Sequence, residues 1–221
     1  MATKPLSAPT AFLSDVHGNL PALDAVLAEL ARRAVDGIYV AGDLLLGGDQ
    51  PLEVWRRLER AGAHCVAGPS EVALARVTPD ALKPASPEEA ARLTRFRDTR
   101  AALGDIVLRK LGALPYTLRL PLVDGRELLL VHGSPADPFE GITHDMPDEE
   151  VAELLGSEHA DIVVCGSTHV PFRRALEGVE IVNVGSVGAA PEGAFAHFSV
   201  LFPKVNGADI EQTWVEYAPQ P

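Results

Sequence analysis

The chain has 221 residues, of which 47% are hydrophobic and 23% are charged, and its formal net charge is −12. A chain this acidic is not expected to bind nucleic acid or an anionic membrane, since both require a basic face, whereas a cation-binding site is compatible with it. No stretch has the length of a membrane span, and the N-terminal residues lack the apolar core of a signal peptide. We therefore expect a cytoplasmic protein in which Cys65 and Cys165 are buried thiols.

Strands and helices alternate in the first third of the chain. Strands are predicted over 10–14, 37–42 and 63–68, and helices over 20–34 and 51–61. Asn19 is the predicted N-cap of the first helix, and Pro51 suits the first turn of the second. This β-α-β-α-β order indicates an α/β fold with parallel strands joined by right-handed crossovers.

The middle of the chain reads as helical and the last part as mostly β. Helices are predicted over 86–98, 100–111 and 147–155, and strands over 116–122, 126–133, 161–165, 172–177, 179–184, 194–202 and 208–217. Gly178 suits a tight turn between two of these strands. No linker rich in proline, glycine or serine divides the chain, so residues 1–221 are predicted to form a single domain with a helical insertion near residues 75–112.

Five side chains with metal-binding chemistry each follow a predicted strand. They are Asp15, His17, Asp43, His132 and His169. In open α/β sheets the carboxyl ends of the strands meet at one edge, so these residues are expected to converge. Singly, each has an ordinary explanation, since an Asp after a strand is usually a turn or capping residue and a lone His is usually structural. Together, the mixed oxygen and nitrogen set suits a divalent transition metal: Mn²⁺, Fe²⁺, Ni²⁺, Co²⁺ or Zn²⁺.

The order of several short words in the chain resembles a known family. SDVHGN at 14–19, a Gly-Asp pair ending at Asp43, VHGSP at 131–135, GSTH at 166–169 and NVGSVG at 183–188 follow one another as in calcineurin-like metallophosphoesterases. Within that superfamily the chain is most similar to the small bacterial branch of YfcE-like and diadenosine-tetraphosphatase-related proteins, over roughly residues 10–217. The resemblance implies a four-layer αββα sandwich of two β-sheets flanked by helices.

The resemblance also implies a chemistry and a ligand set. Family members hydrolyse phosphoesters with a water activated by two metals. Carried over to this sequence, Asp15, His17 and His169 would bind the first metal, Asp43 would bridge both metals, and His132 would bind the second. Phosphate contacts are then expected from the residues Asn19 and Ser167, although helix capping alone also accounts for Asn19.

Three positions depart from the family pattern. Pro69 stands where an asparagine ligates the second metal, Ser167 stands where a histidine does, and Ser70 stands where a histidine protonates the leaving group. A proline side chain has no donor atom, and a serine hydroxyl is too weak an acid to replace the histidine at neutral pH. The catalytic acid is therefore unassigned. His144 is a candidate for it, and a solvated loop histidine is the other interpretation.

The sequence therefore predicts one firmly bound metal and a second that is weakly bound or absent. The expected function is metal-dependent hydrolysis of a small phosphomonoester, phosphodiester or nucleotide, with weakened activity. The alternative is a protein without catalytic activity that binds metal or phosphate, or acts as a scaffold, and has retained the fold. The resemblance is also compatible with a homo-oligomer.

Overall fold

The computed structural model describes residues 4–218 and contains two five-stranded β-sheets. The first sheet has the strand order β10-β9-β1-β2-β3. Its strands are β1 (Thr10–Leu13), β2 (Gly37–Val40), β3 (His64–Cys65), β9 (Phe195–Lys204) and β10 (Gly207–Glu216). Helices α1 (Leu20–Arg32) and α2 (Pro51–Arg60) connect β1, β2 and β3, which pair in parallel as the sequence predicted. The last two strands add to this sheet in antiparallel orientation.

The second sheet has the strand order β4-β5-β6-β8-β7. Its strands are β4 (Thr117–Pro121), β5 (Glu127–Val131), β6 (Ile162–Cys165), β7 (Phe172–Leu176) and β8 (Val179–Asn183), and α5 (Asp148–Leu155) connects β5 to β6. The three inner strands are parallel, and both edge strands are antiparallel to their neighbours. Gly178, with φ +86°, lies in the tight turn between β7 and β8, where the sequence predicted one.

The two sheets pack face to face and carry helices on their outer faces. Strand β1 is buried on both faces of the sheet. Its alternate residues point to opposite faces, so Phe12 lies between the sheets, whereas Ala11 and Leu13 contact the helical side. Apolar residues of α1, α2 and the long helix α4 (Pro87–Gly112) cover the first sheet, and Val151 and Leu155 of α5 cover the second. The predicted αββα sandwich is thus confirmed.

The segment after β3 differs from its prediction. The strand expected over 63–68 ends at Cys65, and a helix that the sequence analysis missed, α3 (Pro69–Arg76), follows it. The chain leaves the sheet where the backbone N–H of Ala67 donates to the carbonyl of Pro115 instead of to a strand. Pro69 at the first helical position and Glu71 at the third, which accepts from the backbone N–H of Gly68, then start the helix.

The following helical segment also differs in its break point. A short 3₁₀ helix (Pro79–Ala81) precedes α4 (Pro87–Gly112). Helix α4 runs through the predicted gap at residue 99, and Thr99 is buried within it. The non-helical residue is Gly104, with φ 69° and ψ 169°, a conformation that a residue without a side chain adopts readily. Within residues 4–218, no helix is long and apolar enough to cross a membrane.

Close backbone packing near the end of β1 gives a stability prediction. An added Cβ at Gly188 would lie 1.9 Å from the carbonyl oxygen of Val16, whereas one at Gly37 would make only ordinary contacts of 3.4 Å or more. We expect Gly188→Ala to lower the free energy of unfolding by about 1–3 kcal/mol, the usual cost of overpacking. Gly37→Ala is the matched control and should change it far less. Urea unfolding of both metal-free variants measures the difference, and equal effects would contradict this packing argument.

Candidate metal centre

The five predicted ligands lie where the carboxyl ends of the two sheets meet. Asp15 and His17 follow β1, and Asp43 follows β2 of the same sheet. His132 follows β5 and His169 follows β6 of the opposite sheet. Their ligand atoms form two groups, in each of which all atoms lie within 4.8 Å of one another. The sequence pattern therefore identified a real cluster, although its members are up to 154 residues apart.

The first group contains Asp15, His17 and His169. The Nε2 atoms of the two histidines are 3.1 Å apart. Oδ1 of Asp15 lies 3.1 Å from Nε2 of His169 and 3.5 Å from Nε2 of His17. Two imidazole nitrogens and one carboxylate oxygen thus point at a common position, which is a donor set that transition metals favour.

The second group contains Asp15, Asp43 and His132. Its members are less closely placed, with Nε2 of His132 3.9 Å from Oδ2 of Asp43. Asp15 is therefore the residue that the two groups share. The resemblance assigns the bridging role to Asp43, and that assignment remains a prediction.

Backbone carbonyls fix the orientation of two of the imidazoles. Nδ1 of His17 lies 2.8 Å from the carbonyl oxygen of Leu46, and Nδ1 of His132 lies 2.6 Å from that of Ala41. A carbonyl oxygen can only accept, so Nδ1 carries a hydrogen in both rings, which leaves Nε2 as the atom that faces a metal. Metal-ligating histidines are commonly held in this way, so the residues present fit a metal.

The Asp15 carboxylate is 0% exposed and is stabilised in its charged form. Its Oδ2 accepts a hydrogen bond of 3.0 Å from the backbone N–H of Ser167. Burial alone would raise the pKa of Asp15, but hydrogen bonds with His169 and His17 outweigh it and hold that pKa well below its usual range. Burial likewise would lower the pKa of His17, but the hydrogen bond with Asp15 raises it to about 9. In the absence of a metal, the His17 ring is therefore protonated on both nitrogens and positively charged at neutral pH.

The backbone of the cluster is strained. Positive φ angles occur at Asp15 (54°), His17 (49°), Asp43 (51°), Ser167 (69°) and His169 (62°). A residue with a side chain in this region costs about 1–3 kcal/mol, and such residues persist where the surrounding structure holds them for a function. No sequence pattern indicated this strain, because it arises from contacts between loops of different strands.

Glu71 is a site residue whose role the sequence analysis missed. It is fully buried, and its carboxylate accepts hydrogen bonds from the backbone N–H groups of Asp43 (2.8 Å), Leu44 (2.9 Å) and Gly68 (3.0 Å). Burial and the nearby Asp43 charge raise the pKa of Glu71 above its usual range. Glu71 thus fixes the loop that carries Asp43. A signal was present, since Glu71 directly follows Pro69 and Ser70, two positions at which the chain departs from the family pattern.

Ser70 lies at the family's general-acid position and is bonded to Asp43. Its backbone N–H and its hydroxyl both donate to Oδ1 of Asp43, at 3.0 Å and 2.8 Å. Its hydroxyl also lies 3.2 Å from Oε1 of Glu71, and the residue is 7% exposed. The hydroxyl hydrogen is therefore engaged with a carboxylate of the cluster.

The side chain of Asn19, one of the two expected phosphate contacts, is already engaged in hydrogen bonds. Asn19 caps α1 as predicted, with Oδ1 accepting from the backbone N–H of Ala22. Its amide nitrogen donates to the carbonyl of Gly188 and to the hydroxyl of Tyr217, both at 3.0 Å, which uses both of its hydrogens. A contact from Asn19 to phosphate would require one of these bonds to break. The phosphate-binding roles of Asn19 and Ser167 remain predictions.

The remaining sequence candidates lie apart from both groups of ligand atoms. His144 is exposed, and its Nδ1 lies 4.0 Å from a carboxylate oxygen of Asp145. This environment fits the solvated loop histidine of the sequence analysis, and its role as an acid remains a prediction. Both cysteine thiols are free. Cys165 is buried as predicted, whereas Cys65 is partly exposed, so the prediction that it is buried was wrong.

Comparison with known proteins identifies the family. The profile of the calcineurin-like phosphoesterase superfamily domain matches residues 10–203, so the chain belongs to that superfamily, as the short words in its sequence indicated. A metallophosphoesterase from Sphaerobacter thermophilus is similar in structure, with a TM-score of 0.76 and 26% identity, over 96% of this chain and 90% of that one.

Two further solved structures share the fold. A hypothetical protein from Pyrococcus horikoshii OT3 has a TM-score of 0.80 and 23% identity, over 96% of this chain and 89% of its own. YfcE, a phosphoesterase from E. coli, has a TM-score of 0.54 and 20% identity, over 95% of this chain and 100% of its own.

The raised pKa of His17 gives a prediction about metal affinity. A metal must displace the proton that His17 holds below about pH 9, so the affinity for Mn²⁺ should rise with pH up to that value. We expect about a tenfold gain per pH unit for one displaced proton. Calorimetric titration in buffers of different ionisation enthalpy measures both the affinity and the proton release. His144→Ala is the control and should show the same slope, whereas an affinity independent of pH would contradict the argument.

Proposed function

We propose that the protein is a metal-dependent phosphoesterase that hydrolyses a small phosphomonoester, phosphodiester or nucleotide. The observation that carries the proposal is the convergence of Asp15, His17 and His169 on one position, in a chain of the calcineurin-like phosphoesterase superfamily. A bound divalent metal such as Mn²⁺, Fe²⁺, Ni²⁺, Co²⁺ or Zn²⁺ would hold the phosphate and supply an activated water. A cytoplasmic phosphatase or phosphodiesterase that uses manganese fits this proposal.

The chain's own residues would hold this centre in place. Asp15 keeps its negative charge because its pKa is low, and the carbonyl of Leu46 holds His17 with Nε2 facing the metal position. The carbonyl of Ala41 holds His132 in the same way beside the second position. Because these acceptors belong to the backbone, the geometry is built before any metal arrives, which favours catalysis by positioning.

We propose that the first metal is firmly bound and the second weakly bound or absent. Pro69 offers no ligand atom, and Oδ1 of Asp43 already accepts two hydrogen bonds from Ser70. The second position would thus rely on Asp15, Oδ2 of Asp43 and His132. Losing one of two metals removes transition-state stabilisation of several kcal/mol, so turnover should be slow.

The leaving group would depart without help from a protein acid. Ser70 replaces the family's acid, and its hydroxyl is bonded to Asp43 and Glu71. An alkoxide leaving group needs a proton as its bond to phosphorus breaks, whereas a nitrophenolate does not. The site is therefore suited to esters with acidic leaving groups.

The test of the proposal is the dependence of the rate on the leaving group. For the Mn²⁺-loaded protein we expect measurable hydrolysis of aryl phosphoesters, with kcat/KM falling steeply as the pKa of the leaving alcohol rises. Ser70→His should raise hydrolysis of alkyl esters relative to aryl esters, towards the roughly 10²–10⁴-fold that an acid contributes. Ser157→His, in an exposed loop, is the matched control. A flat dependence in the wild type would show that another group donates the proton.

The second candidate function is binding of metal or phosphate without catalysis, for instance as a scaffold. Two observations favour it: the absence of a ligand atom at Pro69 and the engagement of Ser70 with Asp43. It would be supported if the fully metal-loaded protein hydrolysed no phosphoester but bound inorganic phosphate. A small phosphorylated ligand is the proposed partner in either case, and a homo-oligomer remains a proposal.

A further inference from the structure

A cavity of about 470 Å³ opens beside the first group of ligands. His17 and His169 are among its lining residues, so a phosphate held by them would direct an attached organic group into it. The volume falls within the range of sites that bind small molecules. The inference drawn from this cavity rests on the proposed function, because it concerns the substrate of the same site.

Bare backbone forms one wall of the cavity. Gly18 and Gly48 line it, and a Cβ on either would lie only 2.7 Å from a carbonyl oxygen, that of Leu45 or of Gly18 respectively. Gly48 is further held by the hydrogen bond from its N–H to the carbonyl of His17. The wall is therefore fixed against the metal-binding loop.

Neutral polar residues also line the cavity. The hydroxyl oxygen of Tyr217 accepts a hydrogen bond of 3.0 Å from Asn19, which leaves the Tyr217 hydrogen to donate to a ligand. The side chain of Gln50 also lines the cavity and forms no capping bond with α2. These groups can pair with hydroxyl and carbonyl groups of a ligand.

Among the described residues, the cavity lining offers no lysine or arginine to pair with a second anionic group. Asp49, exposed at the rim, is its one acidic residue, and no lysine or arginine is among the described residues that line it. An adjoining cavity shares Gly48 and Asp49 and adds Arg95 and Asp98, so the acidic residues still outnumber the basic one. A polyphosphate would therefore meet net negative charge there.

We propose that this cavity binds the organic group of a phosphodiester, and that this group is neutral and carries hydroxyl groups, as in a nucleoside or a sugar. A carboxylate such as that of Asp49 can accept a hydrogen bond from such a hydroxyl. A cationic group is less suited, because a single exposed carboxylate attracts a cation only weakly through solvent.

A series of p-nitrophenyl phosphodiesters tests the proposal. Water adds to phosphorus, the bond from phosphorus to the aryl oxygen breaks, p-nitrophenolate departs and the proton passes to solvent. The second ester group is methyl, choline, glucose attached through O6, thymidine attached through O5′, or that thymidine with a 3′-phosphate. Since the leaving group is constant, differences in kcat/KM report the group that fills the cavity.

We expect the thymidine or glucose diester to exceed the methyl diester by about tenfold or more, given two or three new hydrogen bonds. The comparison of these two distinguishes a nucleoside from a sugar. The choline and 3′-phosphorylated esters should not exceed the methyl diester. Either of these as the best substrate, or equal values throughout the series, would overturn the inference while leaving a working phosphoesterase.

Variants of the rim residue sharpen the test. Asp49→Asn should lower the preference for the hydroxyl-bearing diester over the methyl diester by about two- to fivefold, the range of an exposed charged contact. Asp49→Lys should raise the 3′-phosphorylated diester relative to the unphosphorylated one by about fivefold. The control is Asp209→Lys, since Asp209 is exposed and lies roughly 26 Å from Tyr217 along β10. It should shift neither ratio, and an equal shift there would count against the inference.

Failure of the proposed function gives a different result. If the Mn²⁺-loaded protein hydrolyses p-nitrophenyl phosphate but none of the diesters, the inference of a phosphodiester is overturned. If it hydrolyses neither, the phosphoesterase proposal fails. Binding of the methyl diester of thymidine 5′-phosphate, followed by NMR line shifts, then decides the inference. Saturable binding that weakens in Tyr217→Phe and Asp49→Asn supports it, and absence of binding overturns it.

Discussion

The buried carboxylate of Asp15 holds the two sheets together at the candidate metal centre. It follows a strand of the first sheet and bonds to the backbone of Ser167 and the ring of His169, which follow a strand of the second. Its charge sets the protonation of His17, and both groups of ligand atoms include it. Asp15 is therefore the side chain that connects the two groups of candidate ligand atoms.

The asymmetry between the two metal positions follows from what surrounds Asp43. Glu71 binds the backbone of its loop, and Ser70 occupies one oxygen of its carboxylate. With proline at position 69, this corner of the site resembles a structural junction more than an open coordination sphere. At the first position the Nε2 atoms of His17 and His169 lie beside Oδ1 of Asp15, and no described side chain outside this group bonds to them. The fold is thus that of its superfamily, and the more favourable set of candidate metal ligands is the first group, Asp15, His17 and His169.

The sequence predicted those parts of the fold that depend on local pattern. Apolar runs and their spacing identified the strands and most helices, and residues at strand ends identified the cluster of candidate ligands. Helix α3 was missed because its eight residues are too few to show a clear helical period, although Pro69 and Glu71 are signals of a helix start. The break at Gly104 and the shared role of Asp15 depend on tertiary contacts. The left-handed backbone of the ligands is likewise invisible to a pattern, since loops from distant strands impose it.

The central claim is that the chain holds one firm metal, and counting metals tests it directly. We expect elemental analysis after Mn²⁺ loading and desalting to give about one metal per chain, since the first position has three well-placed ligands. His169→Ala should reduce this to near zero, the exposed His144→Ala should not change it, and Pro69→Asn with Ser167→His should raise it to about two. Two tightly bound metals in the wild type, or none, would contradict the account.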